Sequence, residues 1–331
     1  MIARRSLLAG LAATAFAAQL RAEPVRAGVT RLDPELDGIL DVRAVPEVLG
    51  RGYRWAEGPV WVPRGNYLLF SDVPANTVYR WSRARGVERF LHPSGLQGPV
   101  PVGVREAGAN GLALDASGRL LIADSGTRAV VRVDLATRKR TVLAGRFEGK
   151  RFNSVNDLVV ATDGAIYFTD PPYGLEGGDA SPLREQAVNG VYRRAPDGRI
   201  TLVDGSHKRP NGIGLSPDGR TLYLSLSDEA RPEVLAYALD TAGMPTPSRV
   251  FHDMRPHFAR GWPGLPDGMD VAPSGYLFAT GPGGVHVLAP DGRLLGIVST
   301  GKVVANACIG EGGRSLFLTS SDELCRIGLR G

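Results

Sequence analysis

Six short stretches of the sequence each begin with a side chain that carries an oxygen ligand for a metal ion. They start 39 to 56 residues apart and read EGPVW, NGLAL, NDLVV, NGIGL, DGMDV and NACIG. Their first residues, here called the head residues, are Glu57, Asn110, Asn156, Asn211, Asp267 and Asn306. If the fold brings them together, two buried carboxylates among amide oxygens need a compensating cation, because an unpaired buried charge is costly. Such an all-oxygen set, without His or Cys, favours Ca²⁺, with Mg²⁺, Mn²⁺ or Zn²⁺ as alternatives.

A second interpretation of the same positions is local turn chemistry. Asn or Asp followed by Gly is common at turns before a strand. That interpretation does not account for Glu57, since Glu is not a turn residue, or for Asn156, which is followed by Asp157 instead of glycine. Both interpretations stay open for any single position.

The six stretches belong to a longer repeat, which predicts the fold. Each head residue opens an apolar strand, followed by a turn rich in Asp, Gly or Ser and a second strand such as LLIAD or IYFTD. Third strands such as AVVRVDL and fourth strands such as ITLVDG come next. A period of about 40 to 50 residues, with strands rich in Val, Ile, Tyr and Phe, is typical of propeller blades. The sequence therefore predicts an all-β fold, a six-bladed β-propeller with four-stranded blades whose first strands line a central channel.

The last repeat is one strand short. Its three strands are ACIG, SLFLT and ELCRI. The segment VRAVPEVLG, residues 42–50, lies before the first repeat and is the available fourth strand. We predict that this N-terminal strand closes the last blade. The alternative, a row of separate hairpin domains, would bury too little apolar surface to be stable.

The N-terminus has the layout of an export signal. Residues 1–22 combine the pair Arg4 and Arg5, an apolar Leu/Ala stretch and small residues before Glu23. This layout predicts a signal peptide of the twin-arginine type and a periplasmic or secreted protein. A disordered basic N-terminus is the alternative. The predicted domains are the signal peptide 1–22, an N-terminal extension 23–40 and the propeller 41–331.

Charge and cysteine content narrow the range of partners. The chain has 331 residues and a net charge of +5, from 39 basic and 34 acidic side chains, and three of the cations lie in the predicted signal. A balance so even gives no reason to expect nucleic acid or an anionic membrane as a partner. The apolar stretch of the signal is shorter than the roughly 20 residues of a membrane span. Cys308 and Cys325 fit a buried thiol pair at least as well as a disulfide, and the oligomeric state, monomer or dimer, is left open.

Several motifs, taken in their order, resemble those of a known family. EGPVW, NDLVV with DGAIYFTDPPYGL, RPNGIGLSPDGRTLY and LPDGMDV are similar to the gluconolactonase family, also called regucalcin-like lactonases. The resemblance covers nearly all of the chain after about residue 40. It implies a propeller that holds one divalent ion, usually calcium, by a Glu, two Asn and an Asp from four blades. In this sequence the implied ligands are Glu57, Asn156, Asn211 and Asp267.

The resemblance also implies a reaction, the hydrolysis of a small-molecule sugar lactone. A divalent ion polarises the ring carbonyl, and water attacks the carbonyl carbon. Asp267 is then both a ligand and the catalytic base that takes the proton from water. Asn110 and Asn306 face the same channel and are expected to contact the substrate.

Two rim segments are expected to complete the substrate site. The loop 169–190 is rich in Pro and Gly and is predicted to form a lid, with Asp170 and Tyr173 as substrate contacts. The stretch RPHFARGWPGLP places His257 at the same rim as a further substrate contact. An ordinary solvated loop is the alternative for both segments.

Fold alone does not choose the function. An organophosphate or aryl-ester hydrolase could use the same ion, and a non-catalytic propeller could bind a sugar or a protein around a structural cation. Arg, Asp, Tyr and Asn at the predicted rim suit a polyhydroxy lactone better than an apolar ester. The sequence therefore favours the lactonase.

Overall fold

The computed structural model describes residues 25–330, which form six antiparallel sheets arranged in a ring and one small two-stranded ribbon. The first strands of neighbouring sheets contact one another around the ring, and the sixth contacts the first. The predicted six-bladed β-propeller is confirmed. The predicted signal peptide, 1–22, lies outside the described residues. Among residues 25–330 no helix is long and apolar enough to cross a membrane.

The N-terminal segment and blades one to three take up the first part of the chain. The N-terminal segment contains β1 (Gly28–Arg31), a 3-10 helix (Pro34–Gly38) and β2 (Glu47–Arg51). Blade one contains β3 (Ala56–Val62), β4 (Tyr67–Asp72), β5 (Thr77–Ser82) and β6 (Gly86–Leu91), with a 3-10 turn at Pro63–Gly65. Blade two contains β7 (Ala109–Leu114), β8 (Leu120–Asp124), β9 (Ala129–Val133) and β10 (Arg140–Ala144), followed by the ribbon β11 (Arg146–Phe147) and β12 (Lys150–Arg151). Blade three contains β13 (Leu158–Val160), β14 (Ile166–Asp170), β15 (Gly190–Arg194) and β16 (Ile200–Asp204), with a 3-10 turn at Gly178–Ala180.

Blades four to six follow the same plan. Blade four contains β17 (Pro210–Leu215), β18 (Thr221–Asp228), β19 (Arg231–Ala238) and β20 (Arg249–Asp253), and the single helical turn α1 (Arg255–Phe258) follows it. Blade five contains β21 (Met269–Val271), β22 (Leu277–Gly281), β23 (Gly284–Leu288) and β24 (Leu294–Ser299). Blade six contains β25 (Asn306–Gly310), β26 (Ser315–Ser320) and β27 (Glu323–Gly328), with a 3-10 turn at Glu311–Gly313. In every blade the strands pair in chain order, with the first strand at the axis.

An N-terminal strand closes the ring, as predicted. Strand β2 pairs antiparallel with β27, with Val48 opposite Cys325 and Arg51 opposite Glu323. Only the last part of the predicted segment 42–50 is strand, and the strand continues one residue further. Because proline has no N–H to donate to a ladder, the strand begins directly after Pro46.

The N-terminal extension adds a strand that the sequence did not predict. Strand β1 pairs with β24, so that blade five has five strands. The 3-10 helix between β1 and β2 buries Leu36 fully, and Leu40 follows it into the same core. The extension is therefore packed against blades five and six.

Apolar side chains fill the space between adjacent blades. The core consists of six clusters, one for each pair of neighbouring blades around the ring. Trp61 of blade one stacks on Phe317 of blade six, with ring centroids 5.6 Å apart. Because every blade packs on two neighbours, the ring has no free sheet face.

The two cysteines are separate buried thiols in blade six. Cys308 lies on β25 and Cys325 on β27, and β26 lies between these strands. Two strand spacings amount to roughly 9–10 Å. That separation exceeds the reach of a disulfide bond.

Candidate active site

The head residues lie where the first strands of the blades enter the channel. Register shifts interrupt the pairing of the first strand beside Glu57, Asn110 and Asn211. Bulges of this kind turn a side chain away from the regular alternation of a strand, and they are common beside active sites. In blades three and five the regular strand begins only after the head residue. The strand entrances are thus irregular at five of the six head positions.

The glycine after a head residue is required by the close approach of neighbouring first strands. A Cβ on Gly58 would lie 2.0 Å from the carbonyl oxygen of Asn110, and one on Gly212 would lie 2.1 Å from that of Asp267. No side chain fits in such a space. The repeated head-residue–Gly pair therefore reflects packing around the axis more than turn chemistry.

Five of the six head residues line one cavity of about 570 Å³ at the end of the channel. They are Glu57, Asn110, Asn156, Asn211 and Asp267. The cavity wall is completed by rim residues that divide into polar side chains (Arg105, Glu106, Tyr173, Ser227 and Glu229) and mainly apolar residues (Trp55, Phe258, Trp262, Pro263, Gly264, Leu265 and Val303). The four implied metal ligands therefore share a single cavity.

Three asparagines form a hydrogen-bonded chain across this cavity. The Asn110 amide donates to Oδ1 of Asn156 at 2.8 Å, and the Asn156 amide donates to Oδ1 of Asn211 at 2.5 Å. The Asn211 amide donates to Oγ of Ser227 at 2.8 Å, and that hydroxyl donates to the carbonyl of Pro266 at 2.5 Å. The side chains of three successive blades are thus held in fixed orientations beside the carboxylates.

The two head carboxylates pair with no positive side chain of residues 25–330. Oε2 of Glu57 accepts from the backbone N–H of Gly58 at 3.0 Å and from the Asn306 amide at 3.4 Å. Burial raises the pKa of Glu57 to about 7. Burial first, and then the negative charge of Glu57, raise the pKa of Asp267 well above its usual range. Within residues 25–330 no Arg, Lys or His forms an ion pair with either carboxylate.

This donor set fits a hard divalent cation. Two carboxylates that repel each other, with amide side chains beside them and no ion-paired cation among residues 25–330, leave a negative site that a metal ion would neutralise. Oxygen donors of this kind suit calcium, whereas a tetrahedral zinc site would use His or Cys. Glu57, Asn156, Asn211 and Asp267 are the residues that would hold the ion.

The predicted substrate contacts divide into two groups. Asn110 and Tyr173 line the cavity, and the Tyr173 hydroxyl is buried without a hydrogen-bond partner among residues 25–330. Asn306 instead lines a smaller cavity of about 210 Å³ further along the channel, where its amide donates to the Glu57 carboxylate and its Oδ1 accepts from the N–H of Ala307. His257 lies outside the cavity wall, because its ring packs against Trp262, with centroids 5.6 Å apart.

Asp170, the other predicted contact of the lid loop, is fully buried. Its carboxylate accepts from the backbone N–H groups of Asn153 at 2.7 Å and Ser154 at 2.8 Å. Asp170 therefore anchors the base of the loop and does not face the cavity.

Several cavity residues were missed by the sequence reasoning. Trp262 lies within the rim stretch RPHFARGWPGLP, and a Trp next to a predicted sugar site is a signal that identifies it as a candidate contact. Trp55 lies two residues before the head residue Glu57. None of the other five repeats has an aromatic residue at this position, so the repeat pattern does not identify Trp55. Glu106 and Arg105 lie in a loop between blades and carry no recognisable pattern.

Three histidines form a neutral cluster behind the rim. The Nε2 atom of His286 lies 3.0 Å from the carbonyl oxygen of Pro282, so it must be the donor. The other ring nitrogen of His286 therefore accepts from Nε2 of His252, at 3.0 Å. The His257 ring lies 4.9 Å from that of His286 and also contacts Trp262. The cluster thus supports the segment that forms the apolar wall of the cavity.

We expect this cluster to make the protein less stable in acid. Burial lowers the pKa of His286 to about 3 and that of His252 to about 4, from 6.5. Below pH 6.5 the unfolded chain takes up protons that the folded chain does not. The stability that the neutral histidines contribute is therefore complete above pH 6.5 and is lost as the pH falls to about 4 for His252 and about 3 for His286. At pH 5 the loss for His286 amounts to about 2 kcal/mol.

Urea unfolding of the wild type and of His286→Gln at pH 7 and pH 5 measures this effect. Gln keeps a donor for Pro282 and an acceptor for His252 but does not titrate. We expect a smaller loss of unfolding free energy in the variant between the two pH values, while the exposed control His92→Gln behaves like the wild type. An equal loss in all three proteins would contradict the assignment.

Comparison with known proteins shows what the chain is similar to as a whole. Residues 55–322 match the family described as the SMP-30/Gluconolactonase/LRE-like region. The chain is 47% identical to the gluconolactonase of Zymomonas mobilis, over 90% of this chain and 85% of that protein. It is 26% identical to the pentonolactonase XacC of Haloferax volcanii, over 84% and 85% of the two chains. A solved structure of a gluconolactonase from Xanthomonas campestris aligns with a TM-score of 0.78 at 32% identity, covering 93% of this chain and 98% of that one.

Proposed function

We propose that this chain, which belongs to the SMP-30/gluconolactonase/LRE-like family, is a metal-dependent lactonase that opens the ring of a sugar lactone. The observation that carries the proposal is a pair of carboxylates, the buried Glu57 and the partly buried Asp267, which share one cavity with three asparagines and form no ion pair with a cation among residues 25–330. The similarity to a gluconolactonase at 47% identity supports the substrate class. The resemblance seen in the sequence and these matches agree on the family.

The four residues that would hold the ion are Glu57, Asn156, Asn211 and Asp267. A divalent cation bound there would polarise the lactone carbonyl and stabilise the negative charge that develops on its oxygen. Calcium is the ion that this donor set favours. The chelator experiment below tests the metal dependence.

Asp267 is the proposed general base. It is only partly buried, whereas the other five head side chains are buried, so it is the head carboxylate most open to the cavity. In this role it accepts a proton from the water that attacks the carbonyl carbon. The ring C–O bond then breaks, its oxygen takes up a proton, and the product is the open hydroxy acid.

The walls of the cavity suit a ring that carries hydroxyl groups. Among the lining residues, Asn110 and Tyr173 offer polar groups. Trp55 and Trp262 present aromatic surfaces on which the C–H face of a sugar ring can pack.

Export to the periplasm stays a prediction from residues 1–22.

The experiment is a hydrolysis assay on the purified chain with glucono-δ-lactone, a pentonolactone, phenyl acetate and paraoxon. Acid release is followed with a pH indicator, and the spontaneous rate is subtracted. We expect turnover of the sugar lactones in calcium, a loss of at least about 100-fold after chelation, and recovery when calcium is returned.

Each other outcome selects a different function. Faster turnover of phenyl acetate or paraoxon than of the lactones would favour the ester or organophosphate hydrolase. Calcium-dependent melting without any turnover would favour a non-catalytic binding propeller. Turnover that survives chelation would contradict the metal-dependent mechanism.

A further inference from the structure

A carboxylate that the proposed mechanism does not use lies on the polar wall of the cavity. Glu106 belongs to the loop that leads into blade two, four residues before Asn110. The backbone N–H groups of Arg105 and Glu106 both donate to the carbonyl of Gly174, at 2.8 and 3.3 Å. The Glu106 loop is therefore fastened to the lid loop directly beside Tyr173.

Two buried polar atoms on these fastened loops have no hydrogen-bond partner in the part of the chain that the structure describes. Oε1 of Glu106 accepts from Nη2 of Arg105 at 3.2 Å, but Oε2 is buried and makes no hydrogen bond with residues 25–330. The Tyr173 hydroxyl is also buried and makes no hydrogen bond with residues 25–330. Buried polar atoms without partners cost free energy, and they are rare in native structures unless they meet a ligand or water.

The surroundings of Glu106 favour a hydroxyl group over the metal ion as its ligand. Arg105 already supplies a positive charge next to the carboxylate, whereas no Arg, Lys or His of residues 25–330 pairs with Glu57 or Asp267. Glu106 also lies on a rim loop and not at the head of a first strand. An ionised carboxylate accepts hydrogen bonds, and a hydroxyl of a sugar lactone is a donor of the right kind.

We propose that Glu106 is a specificity-determining residue that accepts a hydrogen bond from a hydroxyl of the lactone and, together with Tyr173, selects polyhydroxylated lactones over plain ones. This inference rests on the proposed lactonase function. A site built to bond a substrate hydroxyl discriminates strongly against analogues that lack it, because its buried polar group is then left unpaired.

The test compares glucono-δ-lactone with δ-valerolactone, which has the same ring without hydroxyls, in wild type, Glu106→Ala and Glu106→Gln. We expect Glu106→Ala to lower kcat/KM for glucono-δ-lactone by about 10- to 100-fold. Most of the change should appear in KM, and kcat/KM for δ-valerolactone should stay within about threefold. Glu106→Gln keeps an acceptor oxygen, and its kcat/KM for glucono-δ-lactone is expected to lie between those of the wild type and Glu106→Ala. Glu176→Ala, an exposed carboxylate on the fastened lid loop, is the control and should change neither substrate.

Other outcomes would overturn the inference. An equal loss for both lactones in Glu106→Ala would show a role in stability or in the chemical step. A weaker calcium affinity of that variant by calorimetry would make Glu106 a metal ligand. A wild type that hydrolyses neither lactone would instead refute the proposed function, which keeps the two failures apart.

Discussion

Asp267→Asn is expected to lower lactone turnover by about 10²- to 10⁴-fold while the propeller stays folded. Asparagine has the shape of aspartate but cannot accept the proton of the attacking water. The fold should tolerate the change because the substitution removes one of two carboxylates that repel each other, and the backbone contact from N–H of residue 267 to the carbonyl of Thr280 is kept. The measurements are kcat/KM for glucono-δ-lactone and the melting temperature.

Two comparisons isolate the role of Asp267 as a base. The control Asp270→Asn changes a partly buried carboxylate three residues later, which lines the smaller cavity and accepts from the N–H groups of Val271 and Ile309. It should keep turnover within about threefold of the wild type. A calcium titration of Asp267→Asn separates its two roles: if excess calcium restores turnover, Asp267 is a ligand and not the base. Turnover like that of the wild type at all calcium concentrations would remove it from the mechanism.

The ring was predictable because each blade meets the same packing demand. Every repeat must place an apolar strand at the axis, bury both faces against neighbours and let neighbouring backbones approach closely. Gly58 and Gly212 show this demand, because a side chain at either position would collide with the next blade. A repeated physical demand leaves a repeated sequence pattern. The six copies of that pattern were therefore sufficient to predict the blades and the closing strand.

The parts of the site that were not predicted depend on contacts between distant segments. Glu106 faces the cavity because its loop is bonded to Gly174, in a loop that the repeat does not describe. His257 was predicted to contact substrate, but the single turn α1 directs its ring towards Trp262 and His286. Asn306 follows the repeat, yet its amide bonds to Glu57 and it does not line the main cavity. Local pattern identifies which strand carries a residue, whereas side-chain direction is set by neighbours.

For the metal ligands, too, the sequence pattern gives the strand position of each residue, and the structure gives the surroundings of its side chain. The repeat places Glu57 and Asp267 at equivalent positions of two blades, and the structure places both on one cavity wall. Neither the repeat nor the structure contains an Arg or Lys that pairs with them among residues 25–330. The unbalanced negative charge is the feature that connects the sequence pattern to the proposed cation, and Glu57 is the residue at which it can be tested without altering the proposed base.

Glu57→Gln is expected to weaken calcium binding by roughly 100-fold or more, since affinity at oxygen sites rises with the number of charged ligands. Glutamine keeps an oxygen that can accept from the N–H of Gly58, so the local backbone should be unchanged. Without calcium the variant should melt at or above the wild-type temperature, because the repulsion between Glu57 and Asp267 is removed. With calcium the order should reverse, because a ligand that binds the folded state stabilises it in proportion to the logarithm of its concentration over Kd.

Calorimetry with chelator-treated protein measures the affinity, and melting with and without calcium measures the reversal. Glu311→Gln is the matched control: this buried carboxylate of blade six is held by Arg83, at 2.5 Å, and by Ser315, and lies outside the main cavity. It should lower stability without changing calcium affinity. A Glu57→Gln protein that binds calcium as tightly as the wild type would contradict the proposed site. An equal loss of affinity in both variants would attribute the effect to the fold and not to the loss of a ligand.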